Sequence, residues 1–167
     1  MDEITTKRST LRRFRPTDAE DLAAGLSDFD TCRWLVVVPF PYRRSDAEAF
    51  IARSATDRFT WAVVEEGRLA GSVSCRPHLG YWLAPPFRGR GLMREAAHAA
   101  LADFFANSGE ERIVSGYLVG NDASGTILRA LGFRETGRSS VLVLSRAESV
   151  EHVDMALERA VFETLEN

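Results

Sequence analysis

The chain has 167 residues, of which 45% are hydrophobic and 27% charged, the ordinary profile of a water-soluble globular protein. This length predicts a single domain over residues 1–167, with enough chain to bury a hydrophobic core. The formal net charge of −3 gives no basic footprint for nucleic acid, and no apolar run is long enough to cross a bilayer.

The cysteine and histidine content gives no sign of a metal site. Cys32 and Cys75 are far apart in the sequence, and the three histidines are scattered. We interpret the two cysteines as reduced, buried thiols. The N-terminal segment MDEITTKRSTLRRF has no apolar core and is not expected to be a signal peptide. The sequence therefore predicts a cytoplasmic protein, monomeric or homodimeric, without metal, nucleic-acid or membrane partners.

The first half of the chain predicts a strand, two helices and a β-hairpin. Each helix follows a hydroxyl residue, Thr17 or Ser45, that has a glutamate three positions later, the spacing of a capping box. The hairpin turns at Glu66-Gly67, between two β-rich runs. The expected elements are a strand over 10–14, helices over 21–26 and 45–54, a proline-containing loop over 34–44, and strands over 59–65 and 68–75.

The second half alternates strands and helices before it ends in two strands. Apolar residues recur at helical spacing over 92–106, and Gly132 stands just past another expected helix, where glycine is common. The expected elements are strands over 79–83 and 113–119, helices over 92–106 and 122–131, and strands near 141–145 and 152–157. This order predicts a mixed α/β fold, with a central sheet of about six to seven strands flanked by about four helices.

An Arg-Gly-Arg-Gly turn stands where the strand over 79–83 passes into the helix over 92–106. Such a turn presents free backbone N–H groups, and the helix dipole adds partial positive charge, so that the two together form an anion site. Gly89 and Gly91 would let a ligand approach the backbone closely. Arg94 stands where a dinucleotide fingerprint needs glycine, and the chain has no P-loop sequence. The alternative is a plain, tight strand–helix connection.

The turn resembles the acetyl-CoA loop of the GNAT N-acetyltransferases, Arg/Gln-x-x-Gly-x-Gly/Ala. Arg88 and Gly91 match this pattern, whereas Met93 departs from it, because Gly or Ala is usual at that position. The preceding run GYWLAP and the following Glu95-Ala96 are similar to the RimJ/RimL branch of the family, the ribosomal-protein and related N-terminal acetyltransferases.

Three further segments resemble that branch in the same order, so that the resemblance covers residues 10–157. They are LRRFRPTDAEDL at 11–22, PFPYRRSDAEAFI at 39–51, and NDAS at 121–124 followed by LGF at 131–133. The resemblance implies a GNAT domain with a splayed pair of strands at the acetyl-CoA site. It also implies direct transfer of an acetyl group to a primary amine, either a protein N-terminus or a small molecule, in a ternary complex.

The resemblance further implies roles for individual residues. Acetyl-CoA would be the cosubstrate, and the N–H of Leu83 would face its thioester oxygen. Ser124 matches a serine that lies near the CoA sulfur, and Asn121 would cap a helix while bonding the pantetheine arm. The pyrophosphate would lie on the backbone amides of Arg88, Gly89, Arg90, Gly91, Leu92 and Met93.

The general base is less well defined. Members of this branch often have a glutamate two residues before the Gly-Tyr of the strand, and this chain has His78 there. Histidine can accept a proton near neutral pH, and a purely structural role is the alternative. Many GNAT enzymes have a tyrosine that acts as general acid at the position of Leu128, so this chain lacks a tyrosine acid there. His98 and His152 are expected to be structural or solvent-facing.

Three functions stay open on the sequence. The first is an N-acetyltransferase for a protein N-terminus or a small amine, and the second is an aminoglycoside or polyamine acetyltransferase of the same fold. The third is a catalytically weak acyl-CoA-binding or sensing module, which His78 and Leu128 keep open. The acceptor would be set by residues 26–45 and the C-terminal strands, which contain no recognisable code.

Overall fold

The computed structural model describes residues 3–166, which contain eight strands and six α-helices. In chain order these are β1 (Glu3–Thr5), β2 (Thr10–Arg12), α1 (Ala19–Gly25), α2 (Phe29–Cys32), α3 (Arg44–Ser54), β3 (Thr60–Glu65), β4 (Arg68–Ser74), β5 (Gly80–Leu83), α4 (Leu92–Ser108), β6 (Arg112–Leu118), α5 (Asp122–Ala130), β7 (Arg134–Val143), β8 (Glu148–Glu158) and α6 (Arg159–Glu166). The strands form two antiparallel sheets, in the orders β1-β2-β3-β4-β5 and β6-β8-β7. The predicted mixed α/β class is confirmed.

Several elements exceed the sequence-based expectation. The short strand β1, the one-turn helix α2 and the terminal helix α6 had no predicted counterpart. Strand β7 begins at Arg134, well before the expected 141–145. Its first half was not predicted because it is exposed and polar. An exposed polar segment has no apolar alternation to mark it as a strand. Pairing with β8, which forms along all of β7, is what makes this segment extended.

The two capping boxes centred on Thr17 and Ser45 are wrong in position. The carboxylate of Asp46 accepts a hydrogen bond from the N–H of Arg43 at 2.8 Å, so that α3 begins at Arg44. In the same way Asp18 accepts from the N–H of Arg15 at 2.7 Å, ahead of α1. In both cases an aspartate satisfies the free donor that the glutamate was expected to satisfy.

The hydrophobic core lies on both faces of the five-stranded sheet. Neighbouring residues of β3 point to opposite faces, so that Trp61 belongs to one buried cluster and Ala62 to the other. The Trp61 cluster includes α4, whose fully buried Ala96 and Ala100 let the helix lie close to the sheet. The other cluster packs α1 and α3 against the sheet. Helix α4 is therefore held firmly under the end of β5.

The two sheets meet at the beginnings of β5 and β6. The N–H of Leu79 donates to the carbonyl of Val114 at 2.9 Å, and the Ser115 hydroxyl donates to the carbonyl of Leu79 at 2.7 Å. Beyond this point β5 pairs with β4 and β6 pairs with β8, and the two share no ladder within residues 3–166. The strands therefore separate and leave a cleft, as expected for the splayed pair. No helix in the described part is long and apolar enough to cross a membrane.

Candidate functional site

The loop that joins β5 to α4 presents a row of free backbone donors. Gly89 and Gly91 have left-handed φ angles of 77° and 76°, and Gly91 is the N-cap of α4 without a side-chain capping bond. The first backbone bond of the helix runs from the N–H of Glu95 to the carbonyl of Gly91 at 3.2 Å. Among the described residues, the N–H groups of 89–94 find no protein acceptor. This arrangement fits the phosphates of a nucleotide-type ligand.

The two arginine side chains of the loop fix its ends. Arg88 turns inward, where its Nε–H donates to the carbonyl of Leu83 at 2.8 Å and its Nη2 donates to the hydroxyl of Thr31 at 2.7 Å. Arg90 forms an ion pair with Glu65 at 2.6 Å. The anion-binding capacity of the loop therefore comes from its backbone, while these side chains anchor it to β5, α2 and β3.

A third arginine, Arg8, reaches the loop from the turn between β1 and β2. Its backbone N–H and its Nε–H both donate to the carboxylate of Glu95, at 2.8 and 3.0 Å, and its guanidinium donates to the carbonyl of Arg90. A Cβ atom on Gly91 would lie 3.3 Å from Arg8 Nη2. Sequence reasoning missed Arg8, because nothing in its local sequence relates it to a loop far along the chain.

The N–H of Leu83 points into the cleft. The next residue, Ala84, donates its N–H to the carbonyl of Ala70 on the β4 side, at 2.8 Å. Because successive N–H groups of a strand point in opposite directions, the N–H of Leu83 points away from β4. The carbonyl of Leu83 lies on the same side and accepts from Arg88. Arg88 thus bonds the peptide that follows the Leu83 N–H, and so holds residue 83 from the cleft side.

Tyr81 lies two residues before Leu83, so that the side chains of both residues lie on the same face of β5. Its hydroxyl lies 2.9 Å from Oγ of Ser124 and 3.2 Å from the carbonyl of Ser124. Burial raises the pKa of Tyr81 to about 12, despite the lowering effect of the hydrogen bond to Ser124, so that the phenol is protonated at neutral pH. The strand period that relates Tyr81 to Leu83 was the sequence signal for this residue.

Asn121 and Leu128 occupy the two ends of the α5 helix. Asn121 is the N-cap, and its Oδ1 accepts from the N–H of Ser124 at 3.4 Å. The side-chain N–H groups of Asn121 remain for other partners. Leu128 is fully buried in the core, and the phenol that bonds Ser124 is that of Tyr81 on β5.

His78 lies at the foot of the cleft on the other face of β5. A Cβ atom on Gly80 would be 3.7 Å from Nε2 of His78, which puts both on the face opposite to Tyr81. Partial desolvation of the ring, together with the nearby His152, lowers the pKa of His78, so that it is neutral at pH 7. The structure therefore does not bring His78 and Ser124 together.

His152 and Asp154 form a hydrogen-bonded pair next to His78. Nδ1 of His152 lies 2.8 Å from Oδ1 of Asp154, which also accepts from the hydroxyl of Ser139 at 2.8 Å. The bonds from His152 and Ser139 lower the pKa of Asp154 below its usual value. Sequence reasoning treated His152 as structural. The spacing His-x-Asp on a strand, which puts both side chains on one face, was the available signal.

The remaining titratable candidates do not contribute to the cleft. Cys32 and Cys75 are free and buried, and burial raises the pKa of the Cys32 thiol to about 11. Between residues 3 and 166, no group of three or more His, Cys, Asp and Glu side chains could hold a metal ion.

The sequence matches a known family model over most of its length. Residues 8–134 match the acetyltransferase (GNAT) domain. The chain therefore belongs to the GNAT acetyltransferase family, which confirms the resemblance identified from the loop and the three other segments.

Individual relatives include ribosomal-protein acetyltransferases. Over 80 residues, or 48% of this chain, the sequence is 34% identical to the ribosomal protein uS5-alanine N-acetyltransferase of Escherichia coli (strain K12), and the aligned part spans 41% of that enzyme. Mycobacterium smegmatis RimJ in complex with CoA-disulfide has a TM-score of 0.82 at 18% identity, over 95% of this chain and 88% of that one. The microcin C7 self-immunity acetyltransferase MccE, in complex with acetyl-CoA and AMP, has a TM-score of 0.80 at 20% identity, over 91% and 93% of the two chains. These two structures share the fold.

Proposed function

We propose that the protein is an acetyl-CoA-dependent N-acetyltransferase that acetylates a primary amine. The observation that carries this proposal is the row of free N–H groups over residues 89–94, at the end of a splayed strand, in a chain of the GNAT family. The CoA-disulfide and acetyl-CoA complexes of two fold neighbours support the same ligand.

The chain has a group for each end of the acyl donor. The loop over 88–93 would hold the pyrophosphate on its backbone amides, and the amide N–H groups of Asn121 would bond the pantetheine arm. Acetyl-CoA supplies an activated thioester when bound. The N–H of Leu83 would stabilise the negative charge that develops on the acyl oxygen, an interaction worth about 3 kcal/mol in other enzymes. Arg88 would help to hold this residue in place by bonding its carbonyl, in the next peptide group.

Ser124 is the proposed acid for the leaving sulfur. Its hydroxyl is bonded to the hydroxyl of Tyr81, which stays protonated because burial raises its pKa to about 12. Tyr81 would therefore orient Ser124 rather than ionise. His78 is neutral at pH 7 and exposed, so it is available as a proton acceptor on the opposite face of the strand.

We propose a protein N-terminal amine as the acceptor. The support is the similarity to the E. coli enzyme, whose name states that it is an N-acetyltransferase for an alanine of ribosomal protein uS5. Because the similarity covers less than half of that enzyme, the protein partner has to be identified by experiment. A synthetic peptide that begins with alanine is the direct probe.

Two measurements test the function separately. Calorimetry with acetyl-CoA should show saturable binding, and a thiol-release assay should show turnover with the alanine peptide. Failure of acetyl-CoA to bind would contradict the proposal. Binding without thiol release for any amine would instead support the acyl-CoA-binding or sensing module.

A further inference from the structure

The imidazole of His152 lies directly over a glycine of the neighbouring strand. A Cβ atom on Gly116 would lie 2.1 Å from Cε1 of His152 and 2.6 Å from its Nε2. Any larger residue at position 116 would displace the ring. Strand β8 pairs with β6 in a register that sets Asp154 opposite Gly116. Both His152 and Asp154 are thus held over one point of β6.

The hydrogen bond to Asp154 determines which nitrogen of His152 is basic. An ionised carboxylate can only accept, so Nδ1 of the neutral ring bears the hydrogen and Nε2 bears the lone pair. Ser139 donates to the same Oδ1 atom and fixes the carboxylate. Nε2 has no hydrogen-bond partner among the described residues. It is therefore a free, oriented base whose side chain is only 17% exposed.

The position of Gly116 brings this base to the opening of the cleft. Val114, two residues earlier, makes the bond that joins β6 to β5, so Gly116 lies where the strands begin to separate. Gly80 on β5 also has no side chain. Between the imidazoles of His78 and His152, the strand surface therefore consists of Gly80 on β5 and Gly116 on β6, neither of which has a side chain.

Several titratable or charged groups lie on the sheet face of His152. Asp154 and, opposite Ala156, Arg134 share that face, and the Arg112–Glu158 ion pair lies further along it. His78 lies ahead of β5, and β7 also contributes the hydroxyl of Ser139. Arg138 and Glu151 form an ion pair at 2.9 Å, and the strand alternation puts them on the other face. A cationic ammonium that enters over Gly116 meets an ionised carboxylate and two imidazoles.

We propose that His152, oriented by Asp154, accepts the proton of the acceptor ammonium, and that the acceptor enters over Gly116 on the sheet face opposite to α4 and α5. This inference rests on the N-acetyltransferase function proposed above. The acceptor nitrogen loses two protons in all. The first passes to Nε2 of His152 and then to water, with exposed His78 on the outward path. The second ends on the sulfur, as the N–C bond forms and the C–S bond breaks.

Steady-state kinetics with acetyl-CoA and the alanine peptide test this assignment. We expect His152→Gln, which keeps bulk but cannot titrate, to lower kcat by about 10²-fold while acetyl-CoA binding by calorimetry stays unchanged. Its kcat should also depend less steeply on pH than that of the parent protein. Asp154→Asn, which no longer fixes the tautomer, should lower kcat by a smaller factor. The control His98→Gln removes an imidazole on α4 and should keep the parent kcat and pH profile.

Proton NMR gives a readout that does not depend on the acceptor. Because His152 is one cause of the lowered pKa of His78, the pKa of His78 should rise in folded His152→Gln and stay the same in His98→Gln. An unchanged kcat and pH profile in His152→Gln, or an unchanged His78 titration, would overturn the assignment to His152 alone. A parent protein that releases no thiol with any amine would overturn the proposed function, and the assignment with it.

Discussion

Tyr81 on β5 and Ser124 on α5 are joined by a 2.9 Å hydrogen bond between their hydroxyls. The strands β5 and β6 share no ladder in the described chain, and α5 directly follows β6. This bond therefore links the strand that bears the Leu83 N–H to the helix that bears Ser124. The relative position of the proposed oxygen-binding donor and the proposed acid depends on it.

Removal of the two hydroxyls should have unequal effects. We expect Ser124→Ala to lower kcat by about 10- to 100-fold with little change in the KM for acetyl-CoA, because it removes the proposed acid. Tyr81→Phe should have a smaller effect, and the double variant should resemble Ser124→Ala, since the hydroxyls act as one unit. Tyr117→Phe, which removes a hydroxyl bonded to Arg129, is the matched control. Full activity in Ser124→Ala would mean that Ser124 has only a structural role in the first turn of α5.

A negative charge on the loop should weaken the binding of acetyl-CoA. Gly91 and Gly109 stand at opposite ends of α4 with φ angles of 76° and 73°, so glutamate suffers comparable backbone strain of about 1 kcal/mol at either site. We expect Gly91→Glu to raise the Kd of acetyl-CoA by at least about 10-fold through repulsion of the phosphates, and Gly109→Glu to leave it nearly unchanged. Equal Kd values for the two variants would show that the phosphates of acetyl-CoA do not bind at this loop.

The inward-facing guanidinium of Arg88 should be difficult to replace. Arg88 bonds the carbonyl of Leu83 and the hydroxyl of Thr31 at once, a fork that lysine cannot reproduce. We expect Arg88→Lys to lower kcat/KM by about 10-fold, equivalent to one hydrogen bond of about 1.4 kcal/mol. Arg44→Lys, in the exposed pair with Glu48, is the control. If both variants keep the parent kcat/KM, the orientation of Leu83 does not depend on Arg88.

The buried ion pair between Arg12 and Asp18 should make stability depend on pH. Burial alone would raise the pKa of Asp18, but hydrogen bonds from Arg12 and from the N–H of Arg15 outweigh it and lower the pKa. The pair therefore stabilises the fold above the unfolded pKa of about 3.9, and this contribution is lost as the pH falls through the lower, folded value.

Asp18→Asn tests that ion pair in urea. We expect it to lower the free energy of unfolding at pH 7 by about 1–3 kcal/mol and to flatten its acid dependence. Glu48→Gln, which breaks an exposed pair, should change it by less than about 1 kcal/mol. Similar losses in the two variants would contradict a special role for Asp18.

The elements that were predicted well are specified by neighbouring residues. The β3–β4 hairpin follows from two β-rich runs and a Glu66-Gly67 turn, whose residues have φ angles of 49° and 78°. The donor loop likewise follows from its glycines and the helix behind it. The first half of β7 was missed because its extended conformation comes from pairing with β8, and its own side chains are polar and exposed.

Local sequence determined the family, the donor loop and the helix that begins at its end, because backbone dihedrals and helix termini depend on residues a few positions apart. Tertiary structure alone decided that Arg88 turns inward and that Arg8 reaches Glu95. It also decided that the phenol of Tyr81 bonds Ser124, and that the imidazole of His152 lies over Gly116. Each of these contacts joins residues distant along the chain, and they meet only because tertiary packing brings their strands and helices together.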